Sequence, residues 1–145
     1  MIEGLLLDSH TLLWLDGDIP LGPDAIYAIG VARARRRLFV SDISLWELGV
    51  ACHLKSFERR PNLRGMDVAA WFHRVTVNYG IRVMHLTGRI AAEAAEVPGR
   101  YGSGDPGDCF LIATARIRKL SLATHDTRMI ALAKREPDYL QVTIC

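Results

Sequence analysis

Gly107-Asp108-Cys109-Phe110-Leu111-Ile112-Ala113-Thr114-Ala115 follows a loop rich in glycine and proline, Pro98 to Pro106, and reads as an apolar helix ending near Lys119. Asp108 lies in the first turn of that helix, where the macrodipole favours negative charge. Leu111, Ile112 and Ala115 stand three, four and seven positions on, so the carboxylate also shares the core-facing stripe. A carboxylate turned inward is strongly unfavourable unless something pairs with it. Immediately downstream, Leu120-Ser121-Leu122-Ala123-Thr124 predicts a strand that stops at His125-Asp126, with a helix to about Lys134 behind it.

The same alternation extends to both ends of the chain. Leu5-Leu6-Leu7 is a continuous apolar run, as suits a strand buried on both faces of a parallel sheet, and it ends at Asp8. Ser9 offers an N-cap for a short helix, His10 to Leu15, which Asp16-Gly17-Asp18 breaks. A helix over Asp24 to Arg36, a strand at Leu38-Phe39-Val40 and a helix from Ile43 to Lys55 capped by Ser41-Asp42 come next. Arg59 to Gly65 reads as a loop, Asp67 caps a helix through Val77, and Ile81 to Met84 is a strand. An alanine-rich helix, Thr87 to Val97, and a last strand, Tyr139 to Ile144, complete the series. Strands alternating with helices over short connections predict an α/β fold: one domain over residues 1–145, with a central, mostly parallel sheet of about five strands and helices on both faces.

Composition narrows the function classes. Half of the 145 residues are apolar and 23% are charged, the balance of a folded globular chain. A net charge of +2 does not by itself imply a polyanionic partner, but Arg33, Arg35, Arg36 and Arg37 form one basic run and Arg59, Arg60 and Arg64 another. Cys52, Cys109 and Cys145 are odd in number and lack a CxxC spacing, against a disulfide frame or zinc knuckle; Cys52 and Cys109 read as small core residues. No apolar run reaches the roughly eighteen residues of a membrane span, and a cytoplasmic location is the expectation.

Three further acids occupy places like that of Asp108. Asp8 and Asp126 fall where buried strands stop, and open α/β sheets bind ligands beyond the carboxyl ends of their strands. Glu47 has apolar helical neighbours in Ile43, Val50, Ala51 and Leu54, unlike Glu93 and Glu96, which sit beside Arg89 as ordinary surface charge. Each acid also has an innocent reading: a helix cap for Asp8 and Asp126, a buried salt bridge for Glu47, a dipole partner for Asp108. Gathered together they would repel, by about 4 kcal/mol for two unit charges 4 Å apart at an effective dielectric near 20. An oxygen-only ligand set of that kind suits Mg²⁺ or Mn²⁺. Asp105 is a fifth, accessory candidate, although before Pro106 it is also explained as an N-cap followed by proline at the first helical position. Ser9 and Thr124 could hold the carboxylates by hydrogen bonds, and His10 and His125 border the same motifs. Lys55, Arg59 and Arg60, just after the Glu47 helix, are candidates for phosphate contacts.

With those motifs in hand, the chain resembles the PIN-domain ribonucleases, in particular the VapC-like toxins of bacterial toxin–antitoxin pairs. Leu7-Asp8-Ser9-His10-Thr11-Leu12-Leu13-Trp14 is similar to their first acidic motif, and Val40-Ser41-Asp42-Ile43-Ser44-Leu45-Trp46-Glu47 to their second. Asp105 to Ala115 resembles the third and Leu122-Ala123-Thr124-His125-Asp126 the fourth, in the family's order over nearly the whole chain. Ser103 stands where some relatives have histidine, and Cys109 where they often have arginine. The resemblance implies a PIN-like fold and a Mg²⁺- or Mn²⁺-dependent endoribonuclease, with Asp8, Glu47, Asp108 and Asp126 as catalytic, metal-holding residues. It further implies an RNA substrate, an antitoxin that covers the site, and a homodimer.

Two other classes compete. A phosphatase or receiver using Asp8 as covalent acceptor lacks its DxDxT motif or its paired acids, since Ser9-His10-Thr11 follow Asp8. A non-enzymatic binding module would use the inward acids only to engage arginines of a partner.

Overall fold

Leu5–Leu7 (β1) is buried at every position and pairs on both sides, with Leu38–Ser41 (β2) and with Ser121–Thr124 (β4), each likewise fully buried. Arg82–Met84 (β3) adds beyond β2 and Val142–Ile144 (β5) beyond β4, giving a five-stranded sheet of order β3-β2-β1-β4-β5 with every pairing parallel. This is a computed structural model of the chain, and it describes residues 3–17 and 19–145. The sheet is wholly parallel among the described residues, where the sequence predicts a mostly parallel one.

Side-chain alternation along these strands divides the core in two. Leu6, Phe39 and Leu122 face one way, onto Gly88–Glu96 (α5), Pro106–Arg118 (α7) and Thr127–Arg135 (α8) through Ile90, Ile112 and Met129. Leu5, Leu7, Leu38, Val40 and Ala123 face the other way, onto Ser9–Leu15 (α1), Pro23–Ala34 (α2) and Val68–Asn78 (α4) through Leu12, Ile29 and Trp71. Asp42–Ala51 (α3) belongs to both sides, with Ile43 in the first core and Leu48 in the second. It therefore spans the carboxyl edge of the sheet. The strand order reverses between β1 and β4, the place where doubly wound sheets open a crevice.

Several boundaries differ from the sequence expectations. The N-cap of α1 is Asp8, whose side chain accepts from the Thr11 N–H, and Ser9 is the first helical residue. Helix α3 ends at Ala51 and does not reach Lys55; the Cys52 N–H closes the last turn onto Leu48 and Gly49, and the chain turns away. Within the expected loop Arg59 to Gly65 and just before it lies a 3-10 turn, Phe57–Arg59. A short helix, Pro98–Tyr101 (α6), opens the glycine-rich loop and ends at Gly102, whose φ of 78° is costly for any residue with a β-carbon. The last strand is shorter than Tyr139 to Ile144, because Leu140 turns into the core and pairing begins at Val142. Cys109 is buried as expected, whereas Cys52 is half-exposed. Glu93 is not free surface charge: it accepts from Nε of Arg116 at 2.6 Å. No helix among the described residues is long and apolar enough to cross a membrane.

Candidate active site

Beyond the carboxyl ends of β1 and β4, a cleft of about 340 Å³ is lined by Asp8, Glu47, Asp108 and Asp126, together with Ser9, His10, Arg59 and Arg60. Four separate segments supply the acids. Asp8 follows β1, is 5% exposed, and its Oδ1 accepts from the Thr11 N–H at 2.8 Å. Its own N–H bonds to the Ala123 carbonyl, and Thr11 Oγ1 donates to the same carbonyl at 3.2 Å, so α1 is pinned to β4 at the switch point. Asp126 follows β4 and caps α8, accepting from the Arg128 and Met129 N–H groups.

Glu47 is brought in by α3. The Ser9 hydroxyl lies 3.0 Å from that of Ser44 and donates to Glu47 Oε1 at 2.8 Å. Behind the carboxylate stands Gly107 in the first turn of α7; a β-carbon there would overlap Glu47 Oε2. Ile43, Ser44 and Leu48 are the buried neighbours of Glu47 on α3, while Val50, expected on the same stripe, is exposed. Burial first, and then the charges of Asp108, Asp105 and Asp8, raise the Glu47 pKa to about 7 against the pull of the Ser9 hydrogen bond.

Asp108 lies partly buried in the first turn of α7. Its Oδ2 accepts from the Tyr101 hydroxyl at 2.8 Å and from Arg128 Nη2 at 3.2 Å. Burial, with Asp105 and Asp126 nearby, still raises its pKa despite those two partners. The Tyr101 hydroxyl is in turn held protonated, by burial and by its bond to Asp108. Both carboxyl shifts come first from burial, and the neighbouring carboxylates add to it.

The remaining candidates separate. Asp105 caps α7, its Oδ1 accepting from the Asp108 N–H at 3.0 Å, and contributes to the cleft only through its charge. Thr124 does not hold a carboxylate: its hydroxyl oxygen accepts from the Asp126 N–H. The ring of His10 lines the cleft, but His125 packs flat on Trp14, centroids 4.0 Å apart, with His10 edge-on to it. Arg59 and Arg60 reach the cleft wall and Lys55 does not, since α3 stops short of it. Tyr101, Arg128 and Ser44 are site residues that sequence reasoning missed. Arg128 carried a legible signal, because a cation in the first turn of α8 opposes the helix dipole and needs an anionic partner.

The donors fit a hard divalent cation in kind: carboxylate oxygens only, in excess of local positive charge. Among the described residues no three His, Cys, Asp or Glu side chains stand at the spacing that holds an ion, and Glu47 and Asp108 turn to Ser9, Tyr101 and Arg128 instead.

A parallel doubly wound sheet with an acid-lined cleft at its switch point defines an α/β domain built to act on a ligand beyond its strand ends. The chain belongs to the PIN domain family, whose model matches residues 5–135. PIN domains are generally nucleases that act on phosphodiester bonds and use divalent metal ions. Among solved structures, the chain is similar to DNA-bound VapBC from Salmonella typhimurium, with a TM-score of 0.65 and 18% identity over 99% of this chain and 98% of that one. It is also similar to FitAcB from Neisseria gonorrhoeae, with a TM-score of 0.55 and 18% identity over 97% and 95% of the two chains. For a toxin–antitoxin complex from Klebsiella pneumoniae the TM-score is 0.51, at 20% identity over 86% and 88%. At such identities the likeness concerns the fold. No match was found among curated proteins.

Proposed function

We propose that this chain is a Mg²⁺- or Mn²⁺-dependent endoribonuclease and the toxin of a toxin–antitoxin pair. One observation carries the reading: Asp8, Glu47, Asp108 and Asp126, far apart along the backbone, line a single cleft whose wall also holds Arg59 and Arg60. Asp8, Glu47, Asp108 and Asp126 would hold a divalent cation there, which would supply Lewis-acid chemistry toward a phosphodiester and lower the pKa of a water. The protein's part is positional. Helix-end amides fix Asp8 and Asp126, Ser9 fixes Glu47, and Arg59 and Arg60 hold the flanking phosphates.

The toxin reading draws on neighbours that are toxin–antitoxin complexes and on a second surface. Leu45, Trp46, Val50, Met66 and Val68 form an open apolar groove along α3 and the start of α4, with Trp46 53% exposed. Such a groove suits a protein partner, here an antitoxin, and the chain works as a homodimer in the cytoplasm.

The test is incubation with total cellular RNA, with and without Mg²⁺, followed by mapping of new 5′ ends. Asp8→Asn keeps the helix cap, since asparagine caps as well as aspartate, but binds the cation poorly. It should fold normally and cleave nothing. Full Mg²⁺-dependent cleavage by that variant sinks the assignment.

A further inference from the structure

Phe57 is 80% exposed, an unusual place for a large apolar ring, and it stands in the 3-10 turn beside the acidic cleft. The Arg60 guanidinium lies over it, 5.3 Å from the ring centroid, and is held there by its Nε donating to the Leu54 carbonyl at 2.7 Å. Arg60 and Pro61 are walls of two hollows at once. On one side is the acidic cleft; on the other is a hollow of about 360 Å³ whose lining includes Phe57, Asn62, Leu63 and Met66. Lys55 and Arg59 stand two residues to either side of Phe57 along the chain, with Glu58 between the ring and Arg59; Arg59 lines the acidic cleft, and neither cation's side chain makes a hydrogen bond or ion pair among the described residues. An aromatic face set between cations along a groove is how proteins bind single-stranded nucleic acid: the cations track phosphates and the ring takes a base.

We infer that Phe57 is a stacking platform for a nucleobase flanking the scissile phosphate, and that the Arg60–Pro61 ridge passes the strand from the acidic cleft to this ring. The inference rests on the ribonuclease reading and adds to it a residue that fixes where along the strand the cut falls. A protein partner is the competing occupant, because Cys52 and Met66 belong both to this hollow and to the apolar groove on α3. The charge around Phe57 and its continuity with the cleft favour RNA.

The experiment is an anisotropy titration of fluorescent single-stranded RNA with Ca²⁺ in place of Mg²⁺, using wild type, Phe57→Ala and Phe57→Trp. Each is measured on an intact oligonucleotide and on the same backbone made abasic. Loss of one stacked base weakens binding about 5- to 150-fold. Phe57→Ala should show that loss on intact RNA only, Phe57→Trp should restore affinity, and the two variants should match on abasic RNA. Equal affinity of Phe57→Ala and wild type for intact RNA overturns the inference. So does an equal loss on intact and abasic strands, or a loss confined to antitoxin binding. The nuclease reading fails separately, if wild type binds RNA in this pattern yet Mg²⁺ produces no cleavage.

Discussion

The Glu47 carboxylate lies against the bare Cα of Gly107, so close that a β-carbon at position 107 would push that carboxylate from its place. This contact joins α3 to the first turn of α7, and it sets where Glu47 can stand relative to Asp108.

Gly107→Ala is therefore expected to be harmful, although alanine in a helix is intrinsically better than glycine by roughly 1 kcal/mol. The added methyl would expel the Glu47 carboxylate, and cleavage should fall by at least tenfold. In a Glu47→Ala background the obstruction is gone, and Gly107→Ala should become neutral or stabilising. A urea-unfolding double-mutant cycle reads the coupling directly. Additive effects would refute the contact.

Stability should depend on pH in a defined window. The Glu47 pKa is about 7 in the folded protein against an ordinary value of 4.5, so the native state binds this proton more tightly than the unfolded chain. Its contribution is fully present below pH 4.5 and is lost as pH rises through about 7, on the order of 2–3 kcal/mol allowing for solvent screening. Asp108 is shifted in the same direction. Metal-free protein should lose urea resistance between pH 5 and pH 8, and Glu47→Gln should flatten much of that slope. Because protons and cations compete for the same oxygens, Mn²⁺ should raise the melting temperature more at pH 8 than at pH 5.5.

Arg128 Nη2 donates to Asp108 Oδ2 at 3.2 Å. Replacing it with alanine should free the carboxylate and tighten Mn²⁺ binding about two- to fivefold, the range of an exposed ion pair. Calorimetric titration checks this, and weaker Mn²⁺ binding would instead make Arg128 part of the loaded site.

Away from the cleft, Asp16 closes α1 and is 6% exposed at its side chain. Arg64, Arg74, the Trp71 indole and the Tyr79 hydroxyl all donate to it. Those cations and the hydrogen bonds outweigh burial, so its pKa is lowered. Asp16→Ala would strand Arg74 and the buried Trp71 N–H, at roughly 2–4 kcal/mol in chemical denaturation. Active-site chemistry in the surviving folded fraction should be unchanged.

Strand and helix identity, and the burial of β1 and β4, were legible because continuous apolar runs and helical stripes are local patterns. Boundaries were less so. Ser9 and Asp8 can both cap a helix, and only the Ser9–Glu47 hydrogen bond, across 38 positions, decides which of them does. Likewise α3 stops four residues before Lys55, a choice made by how Cys52 to Leu54 turn and not by propensity.

Taken alone, the sequence determined the α/β architecture, the four inward acids and the family motifs that contain them. It could not tell which cations answer those acids. Tyr101 reads as a loop residue, Ser44 as an ordinary helix residue and Arg128 as a cation in need of some anion, until the fold brings them to Asp108, Ser9 and Glu47. Periodicity says which side of an element a residue faces; it carries no information about what stands opposite. Pairing across the cleft is a long-range electrostatic outcome, and only the packing of α3, α7 and α8 over the edge of β1 and β4 decided it.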